Sequence, residues 1–402
     1  MFVSVPRVIN RIFKEGDFIS LDGTTGHVYE GKIETTEATI SGNFETFMAW
    51  VDEIRDLKIK ANADSPEEAK VALEFGAEGI GLCRTEHMFF DESRIFAFRK
   101  MILSDTKEGR EEALESILPF QRKDFEDIYR TMSPYSVIIR YLDPPLHEFL
   151  PKVLPQENKV IEEIAEALGV TVKRLKQRIQ DLHEFNPMMG HRGCRVAITY
   201  PEIAVMQTKA VIEAAINVQK EGKKVIPEIM IPLISDKNEL KYLTDIVRET
   251  AEELIKNSGE KLEYKIGAMI ELPRACIKAN ELAEIAEFFS LGTNDLTQMA
   301  YGFSRDDGAF LNDYYKKQIF SQDPFVRLDQ EGVGQLIKMA INRGRQKRPD
   351  IEIGICGEHG GEASSIEFFY NADMDYVSCS PYRVPIARLA AAQARIKSGM
   401  QK

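Results

Sequence analysis

Side chains that bind anions and metal ions follow a series of short apolar runs in this 402-residue sequence. Arginines follow early runs, carboxylates follow later ones and a thiol follows a late run; the residues are Arg84, Arg140, Arg192, Glu271, Asp295 and Cys356. Arginine presents a planar fork of donors that suits carboxylate and phosphate groups. Two nearby carboxylates repel each other unless a cation lies between them, and Mg²⁺ accepts such ligands while keeping positions for substrate oxygens. The set therefore predicts a small anionic substrate bound by arginines and Mg²⁺.

Each of these residue types also has an ordinary structural role. An arginine after a strand is usually a surface ion-pair partner, and Asp295 could cap the helix that follows it. Cys356 taken alone is best read as an inert buried thiol. The six histidines lack metal-ligand spacing and no pair of cysteines supports a zinc site, so most histidines are predicted to be structural. The chemical prediction therefore depends on a fold that brings the six side chains together.

Apolar runs alternate with helical patterns from residue 57 to the C-terminus. Continuous apolar strands are typical of a parallel sheet covered by helices, and seven or eight repeats favour a (β/α)8 TIM-type barrel over a doubly wound sheet. Such barrels carry their chemistry at the carboxyl ends of the strands. Residues 186–193, which contain Arg192, are a candidate for one further short strand. The predicted strands are residues 57–62, 79–83, 137–142, 225–233, 264–270, 288–291, 351–355 and 376–379.

The remaining segments predict a hairpin, a linker and two insertions. Residues 18–21 and 27–29 predict two short strands around a turn-rich sequence. Residues 35–56 predict a linker that becomes helical. Residues 85–136 and 145–186 are too long for simple connections and have helical patterns, so they predict helical insertions on the barrel.

Composition excludes several classes of protein. The 64 acidic residues outnumber the 52 basic ones and give a net charge of −12, without a basic run, so the sequence does not predict a nucleic-acid-binding protein. No apolar stretch approaches the roughly 20 residues that a membrane span needs. The five cysteines are scattered, which disfavours a disulfide framework and predicts a reducing, cytoplasmic location.

Five stretches of the sequence resemble the pyruvate, phosphate dikinases, members of the phosphoenolpyruvate-utilising enzyme family. They are residues 79–90 (GIGLCRTEHMFF), 140–150 (RYLDPPLHEFL), 190–195 (GHRGCR), 292–298 (GTNDLTQ) and 354–361 (GICGEHGG). Phosphoenolpyruvate synthase and enzyme I of the sugar phosphotransferase system share the Arg-Thr-Glu and Gly-Thr-Asn-Asp themes. The Cys-Arg-Thr-Glu-His and His-Arg-Gly-Cys-Arg sequences are closer to the dikinases.

The resemblance implies a domain organisation. Residues 1–35 would be the C-terminal remnant of a swivelling phosphohistidine domain, 36–56 a linker and helix, and 57–402 the phosphoenolpyruvate/pyruvate-binding barrel. The family's phosphohistidine lies in a Gly-x-Thr-Ser-His motif, which none of the six histidines matches. The catalytic histidine and the ATP-binding domain are therefore expected to be missing from this chain and to act as its partners. Family barrels are typically homodimeric.

The resemblance also implies a role for each matched residue. The chain would take part in the reaction of ATP, pyruvate and phosphate to AMP, phosphoenolpyruvate and diphosphate, by phosphoryl transfer between phosphohistidine and pyruvate. Arg84, Arg140 and Arg192 would hold phosphate and carboxylate. Glu271 and Asp295 would bind Mg²⁺, and Asn294 and the backbone of Gly292 and Thr293 would contact substrate. Cys356 would be the acid/base at the methyl carbon, with a thiol pKa brought near neutral by surrounding cations.

Two alternatives stay open at the level of sequence. The chain could be another phosphoenolpyruvate transferase, related to phosphoenolpyruvate synthase or to enzyme I. It could also be a non-catalytic, truncated barrel that acts as a dimerisation or regulatory partner of a full-length enzyme. The preserved site residues favour substrate and Mg²⁺ binding over the second alternative.

Overall fold

A computed structural model describes residues 13–14, 16–22, 26–34, 40–305 and 308–400. The chain divides into two compact units, residues 1–40 and 41–402. In the first unit, strands β1 (Ile19–Asp22) and β2 (His27–Glu30) pair in antiparallel register, as the sequence predicts. The predicted turn falls largely on residues 23–25, which lie outside the described residues, as do residues 1–12 of the predicted N-terminal segment.

The second unit is built on a closed barrel of eight parallel strands, which confirms the predicted fold class. Neighbouring strands follow chain order, and the last strand pairs with the first to close the barrel. The strands are β3 (Lys58–Asn62), β4 (Ile80–Arg84), β5 (Ser136–Arg140), β6 (Ile226–Ile231), β7 (Lys265–Ile270), β8 (Phe288–Leu291), β9 (Glu352–Ile355) and β10 (Tyr376–Cys379).

Helices connect and cover the strands. They are α1 (Asn43–Ile54), α2 (Pro66–Glu74), α3 (Glu92–Leu103), α4 (Lys107–Met132), α5 (Asn158–Ala167), α6 (Val172–Asp181), α7 (Cys194–Thr199), α8 (Pro201–Lys220), α9 (Lys237–Ser258), α10 (Pro273–Ile277), α11 (Ala279–Leu282), α12 (Thr293–Tyr301), α13 (Leu311–Lys316), α14 (Val333–Lys347), α15 (Ala363–Asn371) and α16 (Val384–Met400). None of the described helices is long and apolar enough to cross a membrane.

The candidate strand at residues 186–193 is wrong. Pro187–Met189 forms a single 3-10 turn and α7 begins at Cys194, so Arg192 lies in a loop before a helix. Proline cannot donate to a strand ladder, and Gly193 adopts φ +57°, a left-handed conformation outside the β region. The loop nevertheless ends beside the barrel, because the N–H of Gly193 donates to the carbonyl of Asp143 at 2.8 Å.

The two predicted insertions are helical and share a hydrophobic cluster of their own. The rings of Phe89 and Phe98 stack at 4.3 Å between centroids, and Phe149 meets Phe98 edge-on at 4.7 Å. Ile161 of α5 and Leu175 of α6 are buried in the same cluster. The insertion is therefore a packed layer and not a loose appendage.

A buried ionic group lies inside the barrel near the amino ends of the strands. Lys60 Nζ lies 3.3 Å from Glu228 Oε2 and 3.5 Å from Glu352 Oε1, and Lys265 Nζ approaches the other Glu228 oxygen at 3.2 Å. Lys60 also lies 4.3 Å from the centroid of the Tyr376 ring. These paired charges fill the end of the barrel opposite to the carboxyl ends of the strands, where the predicted site residues lie.

Replacing Phe98 tests the insertion cluster. Because its ring is fully buried between two other rings, we expect Phe98→Ala to lower the free energy of unfolding by about 3–5 kcal/mol. Urea denaturation followed by circular dichroism measures the change. Phe185→Ala is the matched control, because the Phe185 side chain is fully exposed. Equal losses in both variants would contradict a packed cluster.

Candidate active site at the carboxyl ends of the strands

Five charged side chains alternate in sign across the mouth of the barrel. Arg140, the last residue of β5, contacts Glu86 through Nη2 and Asp143 Oδ2 through Nη1, the latter at 3.0 Å. Arg192 Nη2 lies 3.2 and 3.0 Å from the two Asp143 oxygens, and its Nη1 lies 3.4 Å from Asp295 Oδ1. We call Glu86, Arg140, Asp143, Arg192 and Asp295 the charged row. It places two predicted arginines beside one predicted metal carboxylate.

Both arginines of the charged row retain a donor without a partner. The Nε atoms of Arg140 and Arg192 are buried and have no hydrogen-bond partner. Both side chains are nearly excluded from solvent, at 7% and 6% exposure. A buried donor without a partner is costly unless a ligand completes it. The arginines can therefore bind an anion and are already held in place by carboxylates.

The two predicted metal ligands form a buried acidic pair next to the charged row. Glu271 is completely buried; its Oε1 accepts a hydrogen bond from the backbone N–H of Leu233 at 2.7 Å, and its Oε2 has no partner. Burial raises the pKa of the Glu271 carboxyl well above its usual value, and the negative charges of Asp295 and Asp143 add to the rise. Burial also raises the pKa of Asp295, against the lowering effect of Arg192.

This pair fits a hard divalent cation. Both residues offer oxygen donors, and Glu271 Oε2 is buried without a partner. Both carboxyl pKa values are raised, so a bound cation would stabilise the charged forms. The described residues include no group of three or more His, Cys, Asp or Glu side chains arranged around a metal. Mg²⁺ commonly binds through one or two carboxylates and keeps several waters, so a pair of carboxylates is compatible with it.

A strained backbone residue donates the hydrogen bond that orients Glu271. Leu233, whose N–H donates to Glu271 Oε1, has φ +57°, an unusual conformation for a residue with a side chain. Gly193 lies against Leu233, because a Cβ on Gly193 would come within 2.8 Å of Leu233 Cβ. Gly292 lies against Glu271, because a Cβ there would lie 2.5 Å from Glu271 Oε2. The glycine at 193 therefore makes room for Leu233, and the glycine at 292 makes room for Glu271.

Arg84 lies at the same end of the barrel, but its guanidinium pairs outside the charged row. It is register-paired with Arg140 through β4 and β5, and its Nε and Nη2 contact Asp64 Oδ2 at 3.0 and 2.8 Å. The Nδ1 of His87 approaches the same oxygen at 2.8 Å. A cavity of about 320 Å³ adjoins Arg84, and Arg305 and Arg383 also line it.

The predicted substrate loop at Gly292, Thr293 and Asn294 is tied to the loop after β9. Thr293 Oγ1 lies 2.8 Å from His359 Nδ1, and Asn294 Oδ1 accepts a hydrogen bond from the N–H of Glu358 at 3.2 Å. The second ring nitrogen of His359 contacts the carbonyl of Pro324 at 2.8 Å, and burial lowers the pKa of this imidazole. His359 thus joins two loops, consistent with a structural role.

Cys356 follows β9 and is sealed in the barrel interior. It is 3% exposed, and its N–H donates to the carbonyl of Leu291 at 3.2 Å. Burial raises the pKa of the thiol to about 11, while the neighbouring Ser290 hydroxyl and the more distant arginines act in the opposite direction. Loss of hydration thus outweighs the nearby positive charge at this thiol, and the acid/base role of Cys356 stays a prediction.

A known protein family matches most of this chain. Residues 39–396 match the family described as PEP-utilising enzyme, PEP-binding domain, where PEP is phosphoenolpyruvate. The chain belongs to this family. The match covers the whole barrel, with both insertions and the charged row.

Curated relatives of the chain within the PEP-utilising family are pyruvate, phosphate dikinases. The chain is 58% identical over 388 residues to the protein of Clostridium symbiosum, covering 96% of the chain and 44% of that protein. It is 53% identical over 386 residues to the chloroplastic protein of Mesembryanthemum crystallinum, covering 96% and 40%, and 52% identical over 390 residues to the protein of Giardia intestinalis, covering 97% and 44%. The resemblance to the pyruvate, phosphate dikinases is confirmed. The chain spans less than half the length of these relatives.

Sequence reasoning missed several residues of the PEP-binding barrel's mouth. Glu86 and Asp143 lie within the motifs that carry Arg84 and Arg140, so their charge was visible, but their pairing was not. The register of β8, β9 and β10 brings Ser290, Gly354 and Tyr376 side by side. A Cβ on Gly354 would lie 2.2 Å from the Tyr376 ring, so the ring crosses Gly354 towards Ser290. Both hydroxyls are buried close to Cys356.

The ion pair between His87 and Asp64 gives a testable pH dependence. Hydrogen bonding to Asp64 raises the pKa of His87 above its ordinary value of 6.5. A raised folded-state pKa means that the pair stabilises the fold fully below the unfolded pKa and loses this effect as pH rises through the folded pKa. We expect NMR titration to give a His87 pKa above 6.5 that falls in the Asp64→Asn variant. His147, whose pKa burial lowers, is the control; a shift of both histidines, or of neither, would contradict the pairing.

Proposed function

We propose that this barrel binds phosphoenolpyruvate and pyruvate and carries out their interconversion within a pyruvate, phosphate dikinase. The observation that carries the proposal is a set of three polar atoms near the mouth of the barrel that are buried and have no partners: the Nε donors of Arg140 and Arg192 and the Oε2 acceptor of Glu271. An anion that also binds a cation completes all three. The relatives' printed name supports the dikinase as the specific reaction.

The arginines would orient the substrate and stabilise the transferring phosphoryl group. Arg140 and Arg192 are fixed by carboxylates, so little side-chain freedom is lost when an anion binds. Arg84 borders the adjoining cavity with Arg305 and Arg383, where further negative charge can be accommodated. Phosphoryl transfer proceeds mainly by such positioning and charge stabilisation.

Glu271 and Asp295 would hold Mg²⁺ in the proposed reaction. When bound, Mg²⁺ would supply the positive charge that stabilises an enolate. The chain itself contributes the two carboxylates and the backbone N–H of Leu233 that orients one of them. Gly292 keeps the space beside Glu271 open.

Cys356 would transfer the proton at the methyl carbon of pyruvate. With a pKa of about 11, its thiol is protonated at neutral pH, which suits donation to the methylene carbon of an enolate. In the reverse direction it would accept the proton back. Ser290, beside the sulfur, would stabilise the thiolate formed when the proton leaves.

The other predicted parts of the reaction belong to the proposal as well. A phosphohistidine domain and an ATP-binding domain would supply the phosphoryl group, and the barrel would form a homodimer in the cytoplasm. The boundaries 1–35, 36–56 and 57–402 stay predictions. The long motif identity with the dikinases and the intact charged row favour this reading over an enzyme I relative or a non-catalytic barrel.

Binding of oxalate, an enolate mimic, tests the anion site. We expect isothermal calorimetry to show oxalate binding that requires Mg²⁺ and that is weakened at least about 100-fold in Arg140→Ala, because a charge-assisted donor pair is lost. Arg174→Ala is the control, since Arg174 is exposed in the insertion and pairs with Asp105. Absence of binding, or equal affinity in the two variants, would contradict the proposal.

Exchange of the methyl protons of pyruvate tests Cys356. In a mixture supplemented with the phosphohistidine-bearing domain, Cys356→Ala should reduce exchange measured by NMR at least about 100-fold, the usual scale for loss of a proton-transfer group. Oxalate binding should persist, because the thiol is not an anion ligand. Cys83→Ala, at another buried thiol, should exchange normally. Undiminished exchange without Cys356 would return it to the inert-thiol interpretation.

A further inference from the structure

Asp143 lies at the centre of the charged row. Its Oδ2 is 3.0 Å from Arg140 Nη1 and 3.0 Å from Arg192 Nη2, and its Oδ1 is 3.2 Å from Arg192 Nη2. The side chain is 5% exposed. Both oxygens of Asp143 thus contact guanidinium groups, and one of them contacts both arginines.

Without Asp143, the two arginines would keep different carboxylate partners. Arg140 would keep Glu86, which it contacts at the opposite end of the row. Among the described residues, Arg192 has ion pairs with Asp143 and Asp295. A buried guanidinium without a carboxylate partner is strongly unfavourable. Arg192 would therefore move onto Asp295, from which its Nη1 is already only 3.4 Å away.

Asp295 is the carboxylate that such a move would reach. Arg192 Nη1 already lies 3.4 Å from Asp295 Oδ1, while its Nη2 lies 3.2 and 3.0 Å from the two oxygens of Asp143. Asp143 therefore competes with Asp295 for the same guanidinium.

Backbone contacts fix Asp143 in a position where it can compete with Asp295 for the guanidinium of Arg192. Its carbonyl accepts the N–H of Gly193 at 2.8 Å, which ties it to the loop that carries Arg192. Pro144 follows and restricts the Asp143 backbone to extended conformations. A Cβ on Gly193 would lie 3.1 Å from Asp143 Oδ1, so the carboxylate is also in close contact with that loop.

We propose that Asp143 is a positioning residue that shares the guanidinium of Arg192 and so prevents Arg192 from closing fully onto Asp295, which leaves this carboxylate available to the metal ion. The inference rests on the proposed metal site at Glu271 and Asp295. It separates two tasks within one buried network: Asp143 directs the guanidinium of Arg192 to the anion, and Asp295 serves the cation.

A double-variant cycle on the full chain tests the inference with Mn²⁺ as the probe. Electron paramagnetic resonance of free Mn²⁺ gives the dissociation constant for the original chain, Asp143→Asn, Arg192→Met and the combined variant, and Mg²⁺ competition shows that the same site is measured. We expect Asp143→Asn to weaken Mn²⁺ binding about tenfold, the scale of coupling between members of one ionic network. In the Arg192→Met background the same substitution should change the affinity less than about threefold, because the competing guanidinium is gone.

The alternatives give different cycles. If Asp143 acted only by its negative charge, or only by supporting the fold, Asp143→Asn would weaken Mn²⁺ binding by the same factor in both backgrounds, and the inference would be overturned. If the original chain bound no Mn²⁺, the proposed metal site would fail first. Asp143→Ser run through the same cycle, with thermal denaturation of every variant, keeps the result independent of one substitution's effect on folding.

Discussion

The buried Asp143 carboxylate, shared by two guanidinium groups, is the interaction on which the mouth of this barrel depends. Moving a single charge from water into a protein interior is very unfavourable, and a buried pair is tolerated only where geometry and further hydrogen bonds compensate. In this barrel the burial of charge is compensated across five side chains whose charges alternate in sign. Loss of any inner member would leave a like-charge pair or an unpaired ion. The ligand site is therefore a part of a network that must be satisfied even without ligand.

The same constraint acts at the other end of the barrel with a different result. Lys60, Glu228, Lys265 and Glu352 satisfy one another closely, whereas the mouth keeps donors and an acceptor without partners. Between these two charged layers lies an apolar layer that contains Cys356, Met269 and Phe288. In a structural ionic layer the charged groups are paired with one another, whereas a ligand-binding layer leaves some polar atoms unpaired until the ligand binds. This contrast separates stability from chemistry within one set of strands, as expected for barrels.

Much of the fold and the site could be predicted from sequence because both depend on local patterns. Apolar runs gave all eight strands, and side chains at the ends of parallel strands must share one edge, so Arg140, Glu271 and Asp295 could be brought together in advance. The sequence predicts Arg192 at this edge through a strand that does not form; its loop is positioned instead by a hydrogen bond from Gly193 to a carbonyl fifty residues earlier. The pairing of Asp143 with two arginines and the burial of Cys356 are likewise tertiary properties. Charged residues near this thiol are visible in the sequence, whereas the desolvation that raises its pKa is not.

The depth of Cys356 has a consequence for the chemical durability of the protein. Peroxides and other oxidants attack the thiolate form of cysteine, and attack also requires access to the sulfur. A pKa of about 11 leaves roughly one sulfur in ten thousand ionised at pH 7, and the side chain is 3% exposed. A cysteine in this setting combines a transferable proton with low susceptibility to oxidative damage. The barrel can thus hold a sulfur in its interior without making that sulfur a redox sensor.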